Sequence, residues 1–403
     1  MELNQVSGAL AGLRVVDLSR VLGGPFCTQV LADHGAEVIK LEPPQGDETR
    51  EWGPPFRDGL SAYYSGANRN KQVAAVDLRR PEGREIVFNL LEGADVLVHN
   101  FKSGAMERWG MGYDEVLRER FPQLIYCHVT GFGEHGPLGG LPGYDAVVQA
   151  LSGTMSINGA PDGGPVRMGT PIVDLGTGLY AVIAILMALI ERNRSGLGQK
   201  LDVSLYDCCI SMLHPQAANT LMSGKTPQRT GNAHPNISPY DAYRTGKGMI
   251  FLGVGNNGQF AKLCQLLGNP ALAQDPRFGS NGDRVVNREE LKVELEALLV
   301  AHEADALSMT LLQEGVPAGA VLDVAAALEA PHTKFREMVV SIDNYKGTGI
   351  PIKLSRTPGS VRTAPRRLGQ DSREVCRKAG LSEAQIDELI RAGVVIVSDE
   401  VSA

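Results

Sequence analysis

The sequence predicts an α/β fold in which a doubly wound, parallel, Rossmann-like sheet forms a large domain next to a second, smaller α/β domain. Short strands rich in β-branched residues alternate with helical stretches over the first 205 residues. Prolines and glycines stand at the predicted helix ends, and a stretch rich in Gly, Pro and Asn follows this part of the chain. Parallel strands need crossover helices, so such a sheet is covered on both faces and binds ligands at the carboxyl ends of its strands.

The first unit of this pattern is GLRVVDLSRVLGGPFCTQVLADHGAEVIKLEPP, which predicts a strand, a helix and a second, parallel strand. Pro25 stands just inside the helix start and Gly35 just past its end, as helix termini favour. The pattern repeats with VAAVDL, DVLVHN and LIYCHVTGF as strands, and between them stand a helix opened by Pro81 and a helical YDEVLRERF. Ligand-binding loops are therefore expected where these strands end, at residues 19–25, 99–104 and 130–140.

Later segments complete this domain and begin the next one. An apolar helix follows Asp174, QKLDVSLYD predicts another strand, and a helical stretch is expected from Tyr206 to about Ser223. The second part opens with a hairpin, YDAYRTGKGMIFLGVG, and continues with several helices. We predict a large domain at residues 1–205 that is completed by 330–403, a linker at 206–234 and a small domain at 235–325.

The composition excludes several classes of protein. A formal charge of -7, without basic clusters, gives no surface that would hold nucleic acid. The amino-terminal stretch lacks the basic and apolar regions of a secretory signal, which predicts a cytoplasmic protein. The longest apolar run, residues 179–190, is shorter than the roughly 20 residues of a membrane span, so we expect a buried helix and no membrane association. Six cysteines without a CxxC pair and eight histidines without HxxxH spacing predict reduced thiols and no metal site.

Two loops invite comparison with nucleotide-binding motifs. Glu42 ends the second strand, where a ribose-binding acid would stand, but the preceding loop SRVLGGP lacks GxGxxG and Pro25 removes one helix N–H group. These departures argue against NAD or FAD as a cofactor. The glycine-rich GVGNNGQ, residues 253–259, lacks the Lys and Ser/Thr of a phosphate loop, and it is either a loop that closes over a site or simply the end of a hairpin.

Asp174 lies in MGTPIVDLGTG, before a predicted Gly-Thr-Gly turn at the start of an apolar segment, and has two possible roles. It could cap the helix, because an aspartate there accepts hydrogen bonds from the first N–H groups. It could also be a nucleophile that attacks an activated carbonyl, with Gly176 and Gly178 allowing an acyl group and N–H donors to approach. Arg108 in HNFKSGAMERWG could bind phosphate through its planar fork or could be an ordinary exposed helical residue.

Several stretches occur in the same order as in a known family and span nearly the whole chain. They are VVDLSRVLGGPFCTQVLADHGAEVIKLEPPQGDETR, NRNKQVAAVDLRRPEGRE, HNFKSGAMERWG, GFGEHGPLGGLPGYDAVVQALSGTM, PIVDLGTGLYA, GQKLDVSLYD and GVGNNGQF, with AGVV near the end. Together they resemble the class III CoA-transferase family of the CaiB/BaiF type. That family includes formyl-CoA transferase and carnitine CoA-transferase and is related to the α-methylacyl-CoA racemases.

The resemblance implies a covalent mechanism with Asp174 as the catalytic residue. Asp174 would attack a donor thioester to give an aspartyl-acyl anhydride, and the released CoA thiolate would convert it to an aspartyl-CoA thioester. An incoming carboxylic acid would then reverse the sequence and leave as its CoA ester. Acyl-CoA is thus expected as a substrate, with no tightly bound cofactor and no metal. Water must be kept out, and the family uses glycine loops such as GVGNNGQF as covers.

The resemblance also carries over a set of binding positions. The expected CoA contacts are Val21, Lys71, Asn100, Phe101, Arg108, Trp109, Thr130 and Phe132. Lys71 and Arg108 suit phosphates chemically. Two positions differ from formyl-CoA transferase: Leu22 replaces a glutamine near the small acid, and Thr130 replaces a lysine that contacts CoA. An oxalate or formate specificity is therefore disfavoured.

The acceptor is the less defined half of the prediction. Substrate contacts are expected from Leu22, Tyr144, His234 and Tyr240 and from the loop residues Gly253, Gly255, Asn256 and Gln259, although His234 and Tyr240 could equally belong to linker turns. The glycine loop and the AGVV ending look most like the branch that uses dicarboxylic acids, with succinyl-CoA as an example of a donor. The family forms interlocked homodimers, so the resemblance implies the same assembly here.

Two other functions remain as alternatives. In the racemases a histidine stands at the position of Tyr144, and a phenol with an ordinary pKa of about 10 is a poor base at neutral pH. A 2-methylacyl-CoA racemase is therefore the less favoured alternative. A non-catalytic CoA-binding protein with the same fold is the second, and Asp174 with its glycine neighbours argues against it.

Overall fold

The computed structural model of the protein describes residues 8–398. The strands of this part of the chain, apart from one two-residue pair, are β1 (Arg14–Asp17), β2 (Glu37–Glu42), β3 (Lys71–Val76), β4 (Val96–His99), β5 (Ile125–Thr130), β6 (Lys200–Ser204), β7 (Tyr240–Arg244), β8 (Met249–Gly253), β9 (Ala318–Ala320), β10 (Val339–Ile342), β11 (Tyr345–Thr348) and β12 (Val395–Ile396). The short pair, Phe56–Arg57 and Leu60–Ser61, forms a small hairpin.

Helices connect and cover these strands. The longer ones are Gly23–Asp33, Pro81–Leu91, Ile172–Ser195, Gln216–Ser223, Asn257–Leu266, Arg288–Leu299, Ala304–Gln313 and Glu383–Arg391. The shorter ones are Ala62–Ser65, Ala105–Arg108, Arg118–Arg120, Asp145–Leu151, Thr154–Ile157, Leu205–Ser211, Asn281–Val286, Val324–Glu329, Pro331–Phe335 and Ser372–Lys378, with a π-helical turn at Tyr113–Leu117 and 3-10 turns at Glu48–Glu51 and Pro270–Gln274.

The central sheet has seven strands in the order β12-β3-β2-β1-β4-β5-β6. Strands β1 to β6 are parallel, and only the edge strand β12 runs antiparallel, against β3. The order 3-2-1-4-5-6 is that of doubly wound folds, in which successive strands are added first on one side of β1 and then on the other. The predicted α/β class and parallel sheet are confirmed.

Side chains on alternate strand positions build two cores, one on each face of the sheet. Val15 of β1 belongs to the core that includes the helices Gly23–Asp33 and Ile172–Ser195. Val16, the next residue, belongs to the opposite core with the helix Pro81–Leu91. This alternation follows from the two-residue period of a strand. It explains why the parallel strands read as continuous apolar runs, since both faces are buried.

The chain divides into two compact units. One contains the residues up to 154, residues 168–218 and the residues from 331 onward, and the other contains residues 155–167 and 219–330. The second unit has a three-stranded antiparallel sheet in the order β9-β8-β7, so the predicted hairpin of β7 and β8 is confirmed. Its own apolar core packs the helices of residues 257–313 on this sheet.

Two local predictions need correction. The continuous helix expected from Tyr206 to Ser223 is interrupted between Leu205–Ser211 and Gln216–Ser223. Pro215 lies in the break, and a proline removes a backbone donor and collides with the preceding helical turn. The helix expected in YDEVLRERF is only a π-helical turn, Tyr113–Leu117, followed by three α-helical residues.

The apolar helix Ile172–Ser195 is long and apolar enough, by length and composition, to cross a membrane. Half of its most apolar window is buried inside the protein. Its buried face includes Ala181, Val182 and Ile185, which belong to the core behind β1 and β4. One face of the helix therefore packs as a core element, whereas Ile183, Met187 and Ile190 are exposed, so the prediction of a buried helix holds for one face only.

Candidate active site

A cavity opens where the strand order reverses, between β1 and β4. The chain leaves these two neighbouring strands in opposite directions, which creates the crevice in which doubly wound folds bind ligands. The predicted site residues that line it are Val21, Leu22, Asn100, Phe101, Thr130, Tyr144 and Asp174. Arg20, Gly23, Glu48, Lys102 and Leu205 also contribute to its wall. All of these residues belong to the first unit.

The loop after β1 is fastened to the loop after β4 by Asn100. The Asn100 side chain accepts a hydrogen bond from Arg20 N (2.9 Å) and donates one to Arg20 O (2.7 Å). This pairing satisfies both backbone groups of Arg20 and joins the two sides of the crevice. Asn100 was expected to contact CoA, and the structure shows that its amide positions Arg20.

Val21 has a left-handed backbone conformation, with φ at +69°. This conformation is unfavourable for a β-branched residue and persists only where the surroundings hold it. The Asp47 carboxylate accepts from Val21 N at 3.2 and 3.3 Å, and Lys40 Nζ lies 3.2 Å from Asp47 Oδ2 and 2.6 Å from Ser19 O. A fully buried ion pair thus holds the loop, which could not be read from the sequence.

Lys71 is buried beneath the same loop. Its ammonium group donates to Pro25 O (2.8 Å), Asn68 Oδ1 (2.9 Å) and Asp17 Oδ2 (3.2 Å). Burial lowers the pKa of Lys71 to about 8, an effect that Asp17 opposes. All three donors are occupied and the side chain is fully buried. These contacts give Lys71 a structural role in this structure, and its contact with a CoA phosphate stays a prediction.

Asp174 is the third residue of the helix Ile172–Ser195, whose N-cap residue is Pro171. The capping role considered for Asp174 is filled by Asp145, whose Oδ2 accepts from Val173 N (2.8 Å) and Asp174 N (3.2 Å). The other Asp145 oxygen accepts from Gln149 Nε2 at 2.6 Å. Because Asp145 supplies the cap, the Asp174 carboxylate is left for the cavity.

The surroundings of Asp174 favour its neutral form. Burial raises the pKa of Asp174 to about 7, and the negative charge of Asp145 raises it further in the same direction. A carboxyl group with this pKa is about half ionised at neutral pH. Gly23 keeps room beside it, because a Cβ atom on Gly23 would lie 3.7 Å from Asp174 Oδ1 and 3.4 Å from Asp174 O.

Gly176 and Gly178 were expected to let an acyl group and N–H donors approach Asp174, but the structure gives them a packing role. Both lie inside the helix and are buried. A Cβ atom on Gly176 would lie 2.6 Å from Met212 Cε, and one on Gly178 would lie 2.8 Å from Gly23 O. These glycines allow close packing against neighbouring segments rather than the approach of an acyl group. The predicted Gly-Thr-Gly turn is helical.

Phe101 is supported from behind by aromatic and charged groups. Its ring stacks on His99 (5.7 Å between centroids) and meets Trp109 edge to face (5.1 Å). His128 lies between Phe101 O (2.9 Å) and Glu134 Oε1 (2.7 Å). Each ring nitrogen of His128 is thus within hydrogen-bond distance of an oxygen atom. Phe101 thus reaches the cavity, whereas Trp109 supports it.

Of the remaining residues predicted to contact CoA, one lines the cavity and the others lie outside its wall. Thr130 lines the cavity, and its hydroxyl accepts from Gly133 N at 2.8 Å. Arg108 is exposed, and a Cβ atom on Gly104 would lie 3.1 Å from its Nη1. Phe132 packs against the core behind the sheet. Arg108, Trp109 and Phe132 are not among the residues of the cavity wall, and their contacts with CoA stay predictions.

The predicted glycine loop belongs to the second unit, where it forms a helix start. Asn256 is the N-cap of Asn257–Leu266 and accepts from Gln259 N at 2.9 Å. The Gln259 side chain accepts in return from Gly255 N at 2.9 Å. Gly253 ends β8 and is paired with Tyr240 of β7. The role of this loop as a cover stays a prediction.

His234 and Tyr240 also lie in the second unit. Their rings meet edge to face at 5.2 Å, and Tyr240 makes a similar contact with Phe251 at 5.3 Å. His234 Nδ1 accepts from Asn236 N at 3.1 Å. These contacts account for the aromatic pair structurally, and its contact with an acceptor acid stays a prediction.

Comparison with known proteins decides the family. The family model described as CoA-transferase family III matches residues 10–372. The chain belongs to CoA-transferase family III. The predicted family and the predicted enzyme class, a CoA-transferase, are confirmed.

Relatives and solved structures of this CoA-transferase family cover nearly the whole chain. A succinate–glutarate CoA-transferase of Agrobacterium fabrum is 42% identical over 91% of this chain and 94% of its own length. The human succinyl-CoA:glutarate CoA-transferase is 38% identical over 96% of this chain and 90% of its own. A crystal structure of a CAIB/BAIF family protein from Brucella suis, 42% identical, matches with a TM-score of 0.84 and covers 93% of this chain and 100% of that one.

Several residues of the candidate site were not found by sequence reasoning. Asp145 stands in the motif YDAVVQ, which is a recognisable signal, but its capping bonds join segments 28 residues apart. Asp47 and Lys40 lie in the matched stretch VIKLEPPQGD without any feature that shows their pairing. Arg20 looks like an ordinary loop arginine, and Gly23 like an ordinary turn glycine. Only the fold brings these residues to one crevice.

Proposed function

We propose that the chain transfers CoA from an acyl-CoA donor such as succinyl-CoA to a dicarboxylic acid, with Asp174 as the nucleophile. The observation that carries this proposal is the position of Asp174 in the wall of the crevice, with its helix capped by Asp145 and its carboxylate beside Gly23. The names of the relatives support the substrate class, since they include succinate–glutarate and succinyl-CoA–D-citramalate CoA-transferases.

Each proposed step exchanges one acyl bond for another. The ionised Asp174 carboxylate attacks the donor thioester carbonyl, and the C–S bond breaks to release CoA thiolate and leave a mixed anhydride. The thiolate attacks the aspartyl carbonyl of the anhydride, which releases the donor acid and leaves an aspartyl-CoA thioester. The acceptor carboxylate then displaces CoA thiolate from this thioester, and the thiolate attacks the acceptor carbonyl of the new anhydride. Asp174 is regenerated, and no ATP is consumed.

The raised pKa of Asp174 suits a group that must both attack and leave. Ionisation is needed for attack, so activity should fall as the pH drops below about 7. A carboxylate that is poorly solvated in its ionised form is also a stronger nucleophile than one in water. Gly23, three residues after Arg20, leaves space for the acyl group on this side of Asp174.

Trapping of the intermediates tests the proposal. Hydroxylamine added during turnover with succinyl-CoA should convert Asp174 to a hydroxamate that mass spectrometry finds on its peptide. Asp174→Ala should give neither the adduct nor transfer, whereas Asp305→Asn, at an exposed first-turn aspartate of Ala304–Gln313, should retain both. Turnover without any Asp174 adduct, or full activity of the alanine variant, would refute the mechanism.

Oxygen labelling tests the same atoms by a different route. If the acceptor carries ¹⁸O at both oxygens of its reacting carboxylate, one labelled oxygen should remain on Asp174 after a turnover. The label should then appear in the donor acid released by later turnovers, because either Asp174 oxygen can attack. A direct attack of the acceptor on the donor thioester would leave Asp174 unlabelled. Exchange of the α-proton with D₂O, without transfer to an acid, would favour the racemase alternative.

Homodimerisation and a cytoplasmic location complete the proposal. The predicted interlocked dimer is supported by family membership. Light scattering of the purified chain should give twice the mass of one chain, and a monomer that carries full activity would contradict the prediction.

A further inference from the structure

Arg20 lines the same cavity as Asp174, although its sequence position shows nothing unusual. Its backbone is held on both sides by Asn100, and the next residue, Val21, is held in a left-handed conformation by Asp47. Because the loop is held at these points, the Arg20 side chain extends from a fixed backbone position. The wall also contains Lys102 and the acids Glu48 and Asp174, so it combines both signs of charge.

The guanidinium of Arg20 is incompletely satisfied. Its Nε is buried and has no hydrogen-bond partner among residues 8–398. Two other arginines of the first unit have carboxylate partners: Arg50 donates to Glu42 at 2.7 and 2.9 Å, and Arg69 to Asp33 at 2.6 to 3.2 Å. A buried donor without a partner is unfavourable, and an oxyanion is the partner that a guanidinium fork fits best.

We propose that Arg20 is a specificity-determining residue that binds the remote carboxylate of a dicarboxylic substrate while its other end reacts at Asp174. This inference rests on the proposed function. Arg20 stands three residues before Gly23, where a Cβ atom would lie 3.7 Å from Asp174 Oδ1. The fastened loop therefore places one cationic and one nucleophilic group on the wall of a single small cavity. A short acid with a carboxylate at each end matches this pair.

The same chemistry could serve a phosphate of CoA, and the two sources predict different kinetics. A carboxylate partner makes Arg20 important only for substrates that have a second carboxylate. A phosphate partner makes it equally important for all CoA thioesters. The comparison of glutarate with valerate as acceptors, which have the same number of carbons, separates these cases when acetyl-CoA is the donor.

The experiment compares Arg20→Met, Arg20→Lys and the wild-type chain. Arg20→Met should lower the ratio of kcat/KM for glutarate to that for valerate by about 10- to 100-fold, the range for loss of a charge-assisted pair. Arg20→Lys keeps the positive charge but loses the planar guanidinium group. Its glutarate-to-valerate ratio should therefore lie between those of the wild type and Arg20→Met. The KM for acetyl-CoA with valerate should stay within about twofold. Arg194→Met, at an exposed arginine in the last turn of the Asp174 helix, should leave every value unchanged.

Each contrary result has a distinct meaning. An unchanged glutarate-to-valerate ratio in a folded Arg20→Met protein overturns the assignment of Arg20 and leaves the proposed function intact. An equal loss of kcat/KM with glutarate and valerate, together with a raised KM for acetyl-CoA, overturns the assignment of Arg20 in favour of a contact with a CoA phosphate. A wild-type chain that transfers CoA to no dicarboxylic acid refutes the proposed substrate class, and the assignment of Arg20 with it. If Arg20→Met does not fold, the Arg20→Lys ratio decides.

Discussion

Replacing Asp174 with asparagine should stabilise the protein above pH 7 while it abolishes CoA transfer. The side chain is largely enclosed, and Asp145 adds a negative charge nearby, so the ionised carboxylate is less stable here than in water. Asparagine has nearly the same shape and resembles the protonated acid. The substitution therefore removes an unfavourable charge and leaves the packing around Gly23 in place.

The magnitude follows from the difference between the ordinary pKa of 3.8 and the raised value of about 7. At 1.36 kcal/mol per pKa unit this corresponds to about 4 kcal/mol, and water in the cavity reduces it to about 2–4 kcal/mol. The folded state binds the proton more tightly than the unfolded state, so wild-type stability falls as the pH rises from about 4 to 7. The advantage of the variant should grow over this window and stay constant above pH 8.

Thermal unfolding at pH 4.5, 6.0 and 8.5 measures the effect. With a shift of about 1–2 °C per kcal/mol for a chain of this length, Tm of the variant should exceed that of the wild type by about 2–8 °C at pH 8.5 and by less at each lower pH. Asp305→Asn controls for the loss of an acid in the first turn of a helix. An Asp174→Asn protein that is no more stable than wild type at pH 8.5 would refute the reasoning.

Three further substitutions test the surroundings of the site and the second unit. Asp145→Asn should move the acidic limb of the pH–rate profile to lower pH, because the pKa of Asp174 falls when the neighbouring charge is removed, although burial remains the larger cause; an unmoved limb would contradict this. Gly178→Ala should lower the free energy of unfolding by about 1–3 kcal/mol in urea titrations, since its Cβ would lie 2.8 Å from Gly23 O; an unchanged midpoint would show that the two helices move apart easily. Arg284→Met should destabilise the chain by at least about 2 kcal/mol, because the fully buried Arg284 makes three hydrogen bonds of 2.7 to 2.9 Å; protease resistance equal to that of the wild type would argue otherwise.

Much of the fold could be predicted because its signals are local. The alternation of β-branched strands with helices, Pro81 at a helix start and the apolar run after Asp174 each depend on neighbouring residues only. The order 3-2-1-4-5-6 is different, because it depends on pairing between distant strands, as when Val15 of β1 pairs with Val96 of β4, 81 residues later. The crevice between β1 and β4 therefore became visible only with the sheet.

The candidate site likewise has features that depend on local sequence and features that depend on long-range contacts. By itself the sequence determined the family and the candidate nucleophile, since Asp174 stands in a recognisable stretch whose order along the chain is preserved. Tertiary structure decided what its neighbours do: Lys71 is enclosed in a buried ion pair, Gly178 permits helix packing, and Asp145 caps the helix from a distant segment. The physical reason is that pairing of charges, donors and packing surfaces is a property of position in space. A residue type states which bonds a side chain can make, and only the fold decides which partners are near enough to make them.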